Sequence, residues 1–498
     1  MYVGLLYFII FFNNDCRFYQ HAIEQQSTGA EKQITLFCLC RGPAMREFFY
    51  PSSIAVFGVS EHPRNLARNI ITNCRNFGFT GRIYTVGKHP GTIDGHKIIT
   101  EPELLPLGID LAVILIPAGQ VAEIMDLCGR KGIRHAVVST GGYREFDRQG
   151  NRVEKDLLEA ARRHNIRFIG PNCIGVICAN SGLCTPFNPM NPVNFKKGRI
   201  SLIAQSGGIA TQTAYYFSEE HIGFSKIISA GNKLNIDEKD LIEYLLTDED
   251  TDQIHLYLES IGDGRALIRL ARKSKKPIVL FKSNVSRAAA GVAMSHTAAL
   301  SNDDRIVDAA MKQAGIIRVK DIHDMTVCAK VLRLPPLAGN RLVAISLSGG
   351  FAVILGDACE KAGFQCPTLP RKLLNKIESF RRGGVIRMAN PMDFGDVHDF
   401  KALVFTIKQC LALEEIDGLV LSFMYGPEMA KMFGNGIDNP EPMLRFVKKM
   451  SEAAGKPIAL SFFAERRYIE QLKAIDVFPV FNDPVESVRA LGMLKNYR

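Results

Sequence analysis

From residue 53 onward the chain repeats one pattern. Short apolar runs rich in β-branched residues, several of them closed by Gly, Pro or Ser, alternate with helical stretches. The runs are Ile54–Gly58, Arg82–Val86, Leu111–Pro117, Ala136–Ser139 and Arg167–Gly170, then Arg199–Ile203, Ile227–Ser229, Ile254–Leu258 and Pro277–Phe281, and finally Arg341–Ile345, Leu419–Phe423 and Pro457–Leu460. A strand with one face in water alternates apolar and polar residues, whereas a strand covered on both faces reads as a continuous run. The pattern predicts parallel sheets between layers of helices, the doubly wound α/β class.

A length of 498 residues suits about three such domains. The first is expected over 45–195 and the second over 196–336, with Pro335-Pro336 as a linker to a third over 337–498. A strand leading into Ser-Gly-Gly and a helix occurs at Ser206–Gly208 and again at Ser348–Gly350, which predicts two similar folds in tandem. Residues 1–44 do not conform. Met1–Phe12 is apolar, but Asn13, Asn14 and Asp15 end the run before it could span a bilayer. It also lacks the basic start and cleavage site of a signal peptide. This segment is read as an appendage, with Met45 as the functional beginning.

The net charge of +10 suits anionic small molecules, and no basic block points to nucleic acid or to a membrane. The 12 cysteines are scattered, without CxxC, and Cys173, Cys178 and Cys184 are not at zinc spacings. Reduced thiols in the cytoplasm, and no metal site in this chain, are therefore expected.

Gly58 closes the first strand, where a dinucleotide fold places its phosphate-binding turn. The rest of the glycine fingerprint is missing, and the second strand ends in Gly87-Lys88-His89 rather than in a ribose-binding acid. That disfavours NAD and FAD. A basic strand end suits a phosphorylated ribose, which both coenzyme A and NADP carry. Ser206, Gly207 and Gly208 open a helix, and helix N-termini attract anions through free N–H groups and the helix dipole. Simple N-capping by serine is the plainer alternative. Glu259 closes the Ile254–Leu258 run, and the next run leads into the small-residue segment Ala288–Ala293 and then Ser295-His296-Thr297. An imidazole can attack a phosphoryl group when a carboxylate fixes its tautomer. Taken singly, His296 is a loop histidine and Glu259 a turn acid.

Together these segments resemble NDP-forming acyl-CoA synthetases, specifically the CoA-ligase part of the ADP-forming acetyl-CoA synthetase family, relatives of succinyl-CoA synthetase. The resemblance runs from about Met45 to the C-terminus. It rests on Ser53–Ser60, Asp110–Ala118, Gly170–Gly175, Gln205–Gly208, Gly231–Lys233, Tyr257–Glu259 with Asp263-Gly264, Ser295–Thr297 and Asn390–Asp393. It implies a Rossmann-like CoA-binding domain followed by two flavodoxin-like domains. His296 would be the phosphorylated residue and Glu259 its orienting carboxylate. Ser206, Gly207, Gly208, Ser295 and Thr297 would hold phosphate. CoA would lie along Gly58, Ser60, Arg64, Lys88, His89, Pro117, Thr140, Gly141, Gly142 and Asn172. The implied reaction converts acyl-CoA, phosphate and ADP to a carboxylic acid, CoA and ATP through an acyl phosphate and phospho-His296. No ATP-grasp module is apparent in the chain, so ADP/ATP and Mg2+ would bind a separate β-type ATP-grasp subunit in a hetero-oligomer.

Three departures stand out. Ala298 follows Ser-His-Thr where the family has Gly, Pro63–Ala67 replaces a glycine-bearing turn, and Gly87-Lys88-His89 replaces Asn-Pro. A non-catalytic CoA- or acyl-CoA-sensing protein is the rival reading, but such a sensor needs neither His296 nor Glu259. An NADP-dependent oxidoreductase has no evident acid–base set here.

Overall fold

A computed structural model describes residues 45–143, 150–286, 288–289, 303–381, 383–384, 386–397, 399–426, 439–495 and 497. The appendage 1–44 and Ser295, His296 and Thr297 lie outside the described residues.

In the first sheet, β1 (Ser53–Phe57) lies between β2 (Arg82–Val86) and β5 (Leu111–Ile114), in parallel register with both. β6 (His135–Val138) and β7 (Arg167–Ile169) follow on one side, and the hairpin β3 (Thr92–Ile93) and β4 (His96–Ile99) closes the other. Every residue of β5 and β6 is buried, which is why they show no alternation. In β1 the two faces separate cleanly. Ala55 and Phe57 pack with Val121, Met125 and Leu157 of the outer helices. Ile54 and Val56 pack with Ile70 and Ile71 of the helix Leu66–Asn76, in a core that continues into Ile203, Leu241 and Leu256 of the second domain.

The second sheet has the order β14-β13-β12-β10-β11-β8-β9. β10 (Lys197–Ala204), β11 (Phe224–Ser229), β12 (Gln253–Leu258), β13 (Ile278–Lys282) and β14 (Ile317–Val319) run parallel in the flavodoxin order 2-1-3-4-5. β8 (Val176–Cys178) pairs antiparallel with β11, and β9 (Leu183–Cys184) pairs with β8. Residues 176–184 thus lie N-terminal to the expected boundary at 195 yet hydrogen-bond into the second sheet. The third sheet repeats 2-1-3-4-5 with β15 (Leu342–Ser346), β16 (Met392–Asp393), β17 (Gly418–Met424), β18 (Ile458–Phe463) and β19 (Val480–Phe481). Buried charge joins it to the second domain: Glu220 bonds Lys473 at 2.9 Å and also Lys330. Among the described residues no helix is long and apolar enough to cross a membrane.

The core begins before the first strand that the sequence pattern shows. Phe48 and Phe49 are fully buried. Phe48 meets the His135 ring edge-on at 5.1 Å, and Phe49 stacks on Tyr244 of the second domain at 5.0 Å. Two aromatic side chains next to each other in sequence therefore pin two domains to one core. Phe49→Ala is expected to lower unfolding free energy by about 3–5 kcal/mol, the usual cost of emptying a buried aromatic site. Urea denaturation followed by circular dichroism measures this, and a loss below about 1 kcal/mol would contradict the anchoring role.

Candidate functional site

In a doubly wound sheet the loops after the first and third strands leave in opposite directions, and the crevice between them receives the ligand. In the first domain that crevice is at the C-terminal ends of β1, β2 and β5. A cavity of about 410 Å³ opens there, with Gly58, Ser60, Lys88, His89, Pro117, Gln120 and Glu123 in its lining. Gly58 has φ +94°, and a Cβ on it would stand 2.0 Å from the Leu115 carbonyl oxygen. A Cβ on Gly87 would stand 2.0 Å from the Val59 oxygen. These glycines let three strand ends converge. The N–H groups of Gly58 and Val59 both donate to Val86 O at 3.0 Å, so they hold the strands rather than point into the crevice. Asn65 accepts the Arg68 N–H at 2.9 Å, capping the following helix, and its own amide donates to Gly58 O at 2.9 Å.

The remaining residues expected along CoA lie elsewhere. Arg64 is exposed and does not line the cavity; its backbone N–H donates to His62 Nδ1 at 3.2 Å. Thr140 is buried and braces the end of β5, its hydroxyl donating to Ile116 O at 2.8 Å. Gly141 and Gly142 are exposed beside it. Asn172, at φ +57°, donates its N–H to Thr140 O at 2.8 Å and its amide to Asn232 Oδ1 at 3.3 Å. Thr140 and Asn172 are thus the first links of a connection that leads from the first strand-end edge to the second.

The connection continues through Lys233, whose Nζ donates to Ser260 O at 2.7 Å and pairs with Glu238 at 2.9 Å. Lys233 (φ +54°) and Asn172 are non-glycine residues in left-handed backbone, and a Cβ on Gly231 would meet Pro171 O at 2.2 Å. Strained positions of this kind gather at functional sites and cost about 1–3 kcal/mol each. The connection ends on Gln205, after β10. Its Oε1 accepts the N–H of Ser260 at 3.1 Å and of Glu259 at 3.0 Å.

Glu259 and the helix Gly207–Glu219 thus meet at the β10/β12 switch point. Ser206 caps that helix, with Oγ accepting the Ile209 N–H at 3.5 Å. A Cβ on Gly207 would crowd Ile174 at 2.9 Å, whereas one on Gly208 would meet only Ser206 Oγ, at 4.0 Å. The approach to the helix end at Gly208 is open. In the third domain Gly350 is as open as Gly208, but at the first glycine the neighbour changes: a Cβ on Gly349 would lie 2.7 Å from Asp393 Oδ2, where one on Gly207 meets Ile174. A carboxylate of the chain's own already sits at that helix end, which disfavours phosphate there.

Sequence reasoning gave no site role to Gln205, Tyr257, Lys282 or Ser283. Ser283 Oγ donates to Tyr257 Oη at 3.0 Å, and Tyr257 hydrogen-bonds the Glu259 carboxylate. Burial, above all, raises the Tyr257 phenol above its ordinary value, so it stays protonated and can donate. Lys282 Nζ donates to Glu259 O at 2.9 Å. Tyr257 and Lys282 were visible as polar residues within or ending an otherwise apolar strand. Ser295, His296 and Thr297 lie outside the described residues, and the described chain leaves this same edge at β13.

Lys88 and His89 are the basic side chains lining the first cavity, and each charged hydrogen bond is worth about 1.5–3 kcal/mol. Calorimetry on the full chain should show CoA binding about tenfold or more tighter than dephospho-CoA. That ratio should collapse in Lys88→Ala. Equal affinities in the parent chain would refute the contact with the ribose phosphate.

Residues 52–179 match a family model described as a CoA binding domain, and residues 197–332 match one described as a succinyl-CoA ligase like flavodoxin domain. The ADP-forming acetate–CoA ligase II subunit alpha of Pyrococcus furiosus is 32% identical over 84% of this chain and 89% of its own length. The ADP-forming acetate–CoA ligase I of Archaeoglobus fulgidus is 31% identical over 91% of this chain, which spans 64% of that relative. Among solved structures, acetyl-coenzyme A synthetase 1 of Ca. Korarchaeum cryptofilum, described as dinucleotide forming and solved in complex with phosphate and ADP, superposes with a TM-score of 0.79. It is 27% identical, with 91% of this chain and 97% of that one covered. With two strand-end sites and alpha-subunit relatives matched along most of its length, the chain belongs to the family of ADP-forming acyl-CoA ligases.

Proposed function

We propose that this chain is the CoA-binding, phosphoryl-carrying part of an ADP-forming acyl-CoA ligase. Phosphate attacks the thioester carbonyl of acyl-CoA, the CoA thiolate leaves, and an acyl phosphate forms. An imidazole nitrogen of His296 then attacks phosphorus, releasing the carboxylic acid as its anion. The phosphoryl group passes to ADP on a second, ATP-grasp-type subunit, where Mg2+ would neutralise the phosphates. In this scheme Lys88 and His89 bind the 3′-phosphate of CoA. Gln120 and Glu123 face its remaining hydroxyl or amine groups. Glu259 accepts the proton of the other imidazole nitrogen, and the open helix end at Ser206–Gly208 receives the phosphoryl oxygens. The buried thiols among the described residues suit a reducing compartment, here taken as the cytoplasm.

The observation that carries this reading is the connection between the sites. From Ile116 at the CoA cavity, bonds run through Thr140, Asn172, Asn232-Lys233, Ser260 and Gln205 to Glu259. A CoA-sensing protein would need the first site alone. A ligase must hold the thioester end of one ligand and the phosphoryl acceptor in fixed relation, because small misplacements cost large factors in rate.

Incubation with radiolabelled acetyl phosphate should give an acid-labile, base-stable label that disappears in His296→Ala. Glu259→Gln should leave the fold and CoA affinity intact while slowing labelling about 100-fold or more. Undiminished labelling of His296→Ala would overturn the assignment. The purified chain should form no ATP from acetyl-CoA, phosphate, ADP and Mg2+ until an ATP-grasp subunit is added. ATP made by this chain alone would refute the need for a partner.

A further inference from the structure

Lys282 ends β13 beside Glu259, and its side chain is 4% exposed. Its Nζ donates to two backbone carbonyls, Glu259 O at 2.9 Å and Ser283 O. Among the described residues no carboxylate stands within 4.0 Å of it, although carboxylates are near. Asp304 and Asp308, on the helix Asp304–Ala314, are both engaged by Arg318 of β14, and Asp308 also pairs with Lys312 at 3.0 Å. Glu238 is held by Lys233. Among the described residues the charges around Lys282 are thus matched with one another, and its own has no counter-ion within 4.0 Å. It lines a cavity of about 710 Å³ together with Asp304, Arg318 and Lys320. A buried cation with carbonyl partners alone is costly, and a group is retained there when an anion arrives to meet it.

We propose that Lys282 is a positioning residue for phosphoryl transfer: it clamps the Glu259 backbone and sets its charge against the phosphoryl group at the β12–β13 edge. The proposal rests on the phosphohistidine reading. Its geometry divides the labour at the edge. Tyr257 and Gln205 fix the Glu259 side chain and N–H, and Lys282 fixes its C=O. The same ammonium neutralises phosphoryl oxygens that would otherwise repel the carboxylate.

One consequence is a pH dependence that a purely structural lysine would lack. Burial, chiefly, brings the Lys282 ammonium down to about 8; Arg318 and Lys233 add to the effect, while Asp304 and Glu259 oppose it. Its folded pKa lies below the ordinary lysine value, so it is charged at pH 7 and loses its charge as pH rises through about 8. Lys282→Met removes this group and so reports any pH dependence that arises elsewhere in the reaction.

The test is the rate of labelling by radiolabelled acetyl phosphate between about pH 7 and 9.5, on the full chain, its Lys282→Met and Lys282→Arg variants, and His296→Ala as the blank. The parent rate should fall at least fivefold across pH 8. Lys282→Met should be at least tenfold slower at pH 7 and flat in pH. Lys282→Arg, which keeps its charge throughout the range, should recover most of the rate and lose the step. Parent-like rate and pH profile in Lys282→Met would overturn the proposal. If thermal melting shows that Lys282→Met fails to fold, a parent-like pH step in Lys282→Arg overturns it instead. A label that survives in His296→Ala, or no label in the parent, counts against the phosphohistidine reading. In that event the affinity of the folded proteins for inorganic phosphate at pH 7, read by phosphorus NMR, decides Lys282: a loss of fivefold or more in Lys282→Met supports it, and equal affinity refutes it.

Discussion

One buried acceptor holds the second site together. Gln205 Oε1 receives the N–H groups of both Glu259 and Ser260, and so fastens the end of β10 to the end of β12 across the switch point. Parallel strands pair by backbone hydrogen bonds only as far as their ends, and beyond that the loops diverge. A side-chain amide prolongs the pairing by one step without adding a charge. A glutamate there would bring a second carboxylate against Glu259, and a leucine would leave two N–H groups without an acceptor. Leaving a buried donor unsatisfied costs about 1–3 kcal/mol. The position of Glu259, and with it the contact of Lys282 with the Glu259 carbonyl, depends on that fastening.

The same logic joins the first two domains. Their cores run together through Ile54, Val56, Phe49 and Leu256, and their strand-end edges are linked through Asn172 and Asn232. The cavity of the first domain is therefore not on a module that moves freely against the Glu259 edge. The third domain repeats the fold of the second but differs in charge at the helix start: Asp393 stands beside Gly349, where Ile174 stands beside Gly207. Two helix starts with the same three residues thus differ by a carboxylate, which comes from a strand far away in sequence. Motif alone does not make an anion site.

The architecture was legible because buried parallel strands write themselves as continuous apolar runs, and each of the three sheets is built around strands that fall in those runs, while short strands such as β14, β16 and β19 were not among them. The crevice residues Gly58, Ser60, Lys88, His89 and Pro117 were legible for the same reason, since strand ends in this topology converge on one edge. Arg64, Thr140, Gly141, Gly142 and Asn172 were grouped with them, yet the cavity lining does not include them. Sequence proximity to a strand end does not say which way a loop turns. Thr140 turns its hydroxyl back onto Ile116, and Asn172 reaches the neighbouring domain. Residues 176–184 escaped assignment because an antiparallel edge strand of two or three residues leaves no periodicity to read. Gln205 and Lys282 escaped because their roles depend on backbone atoms of Glu259 and Ser260, and such partners leave no pattern in side-chain types.

The central claim is that the CoA cavity and the phosphoryl edge are separate sites held in register by Gln205 and the bonds leading to it. The direct measurement is Gln205→Leu in the full chain, with CoA affinity by calorimetry and labelling rate by acetyl phosphate taken on the same sample. The account predicts CoA affinity within about twofold of the parent and a labelling rate lower by about 10–100-fold, the scale of an ångström-size misplacement of a reacting group. An unchanged labelling rate, or a CoA affinity that falls in step with it, would contradict the account.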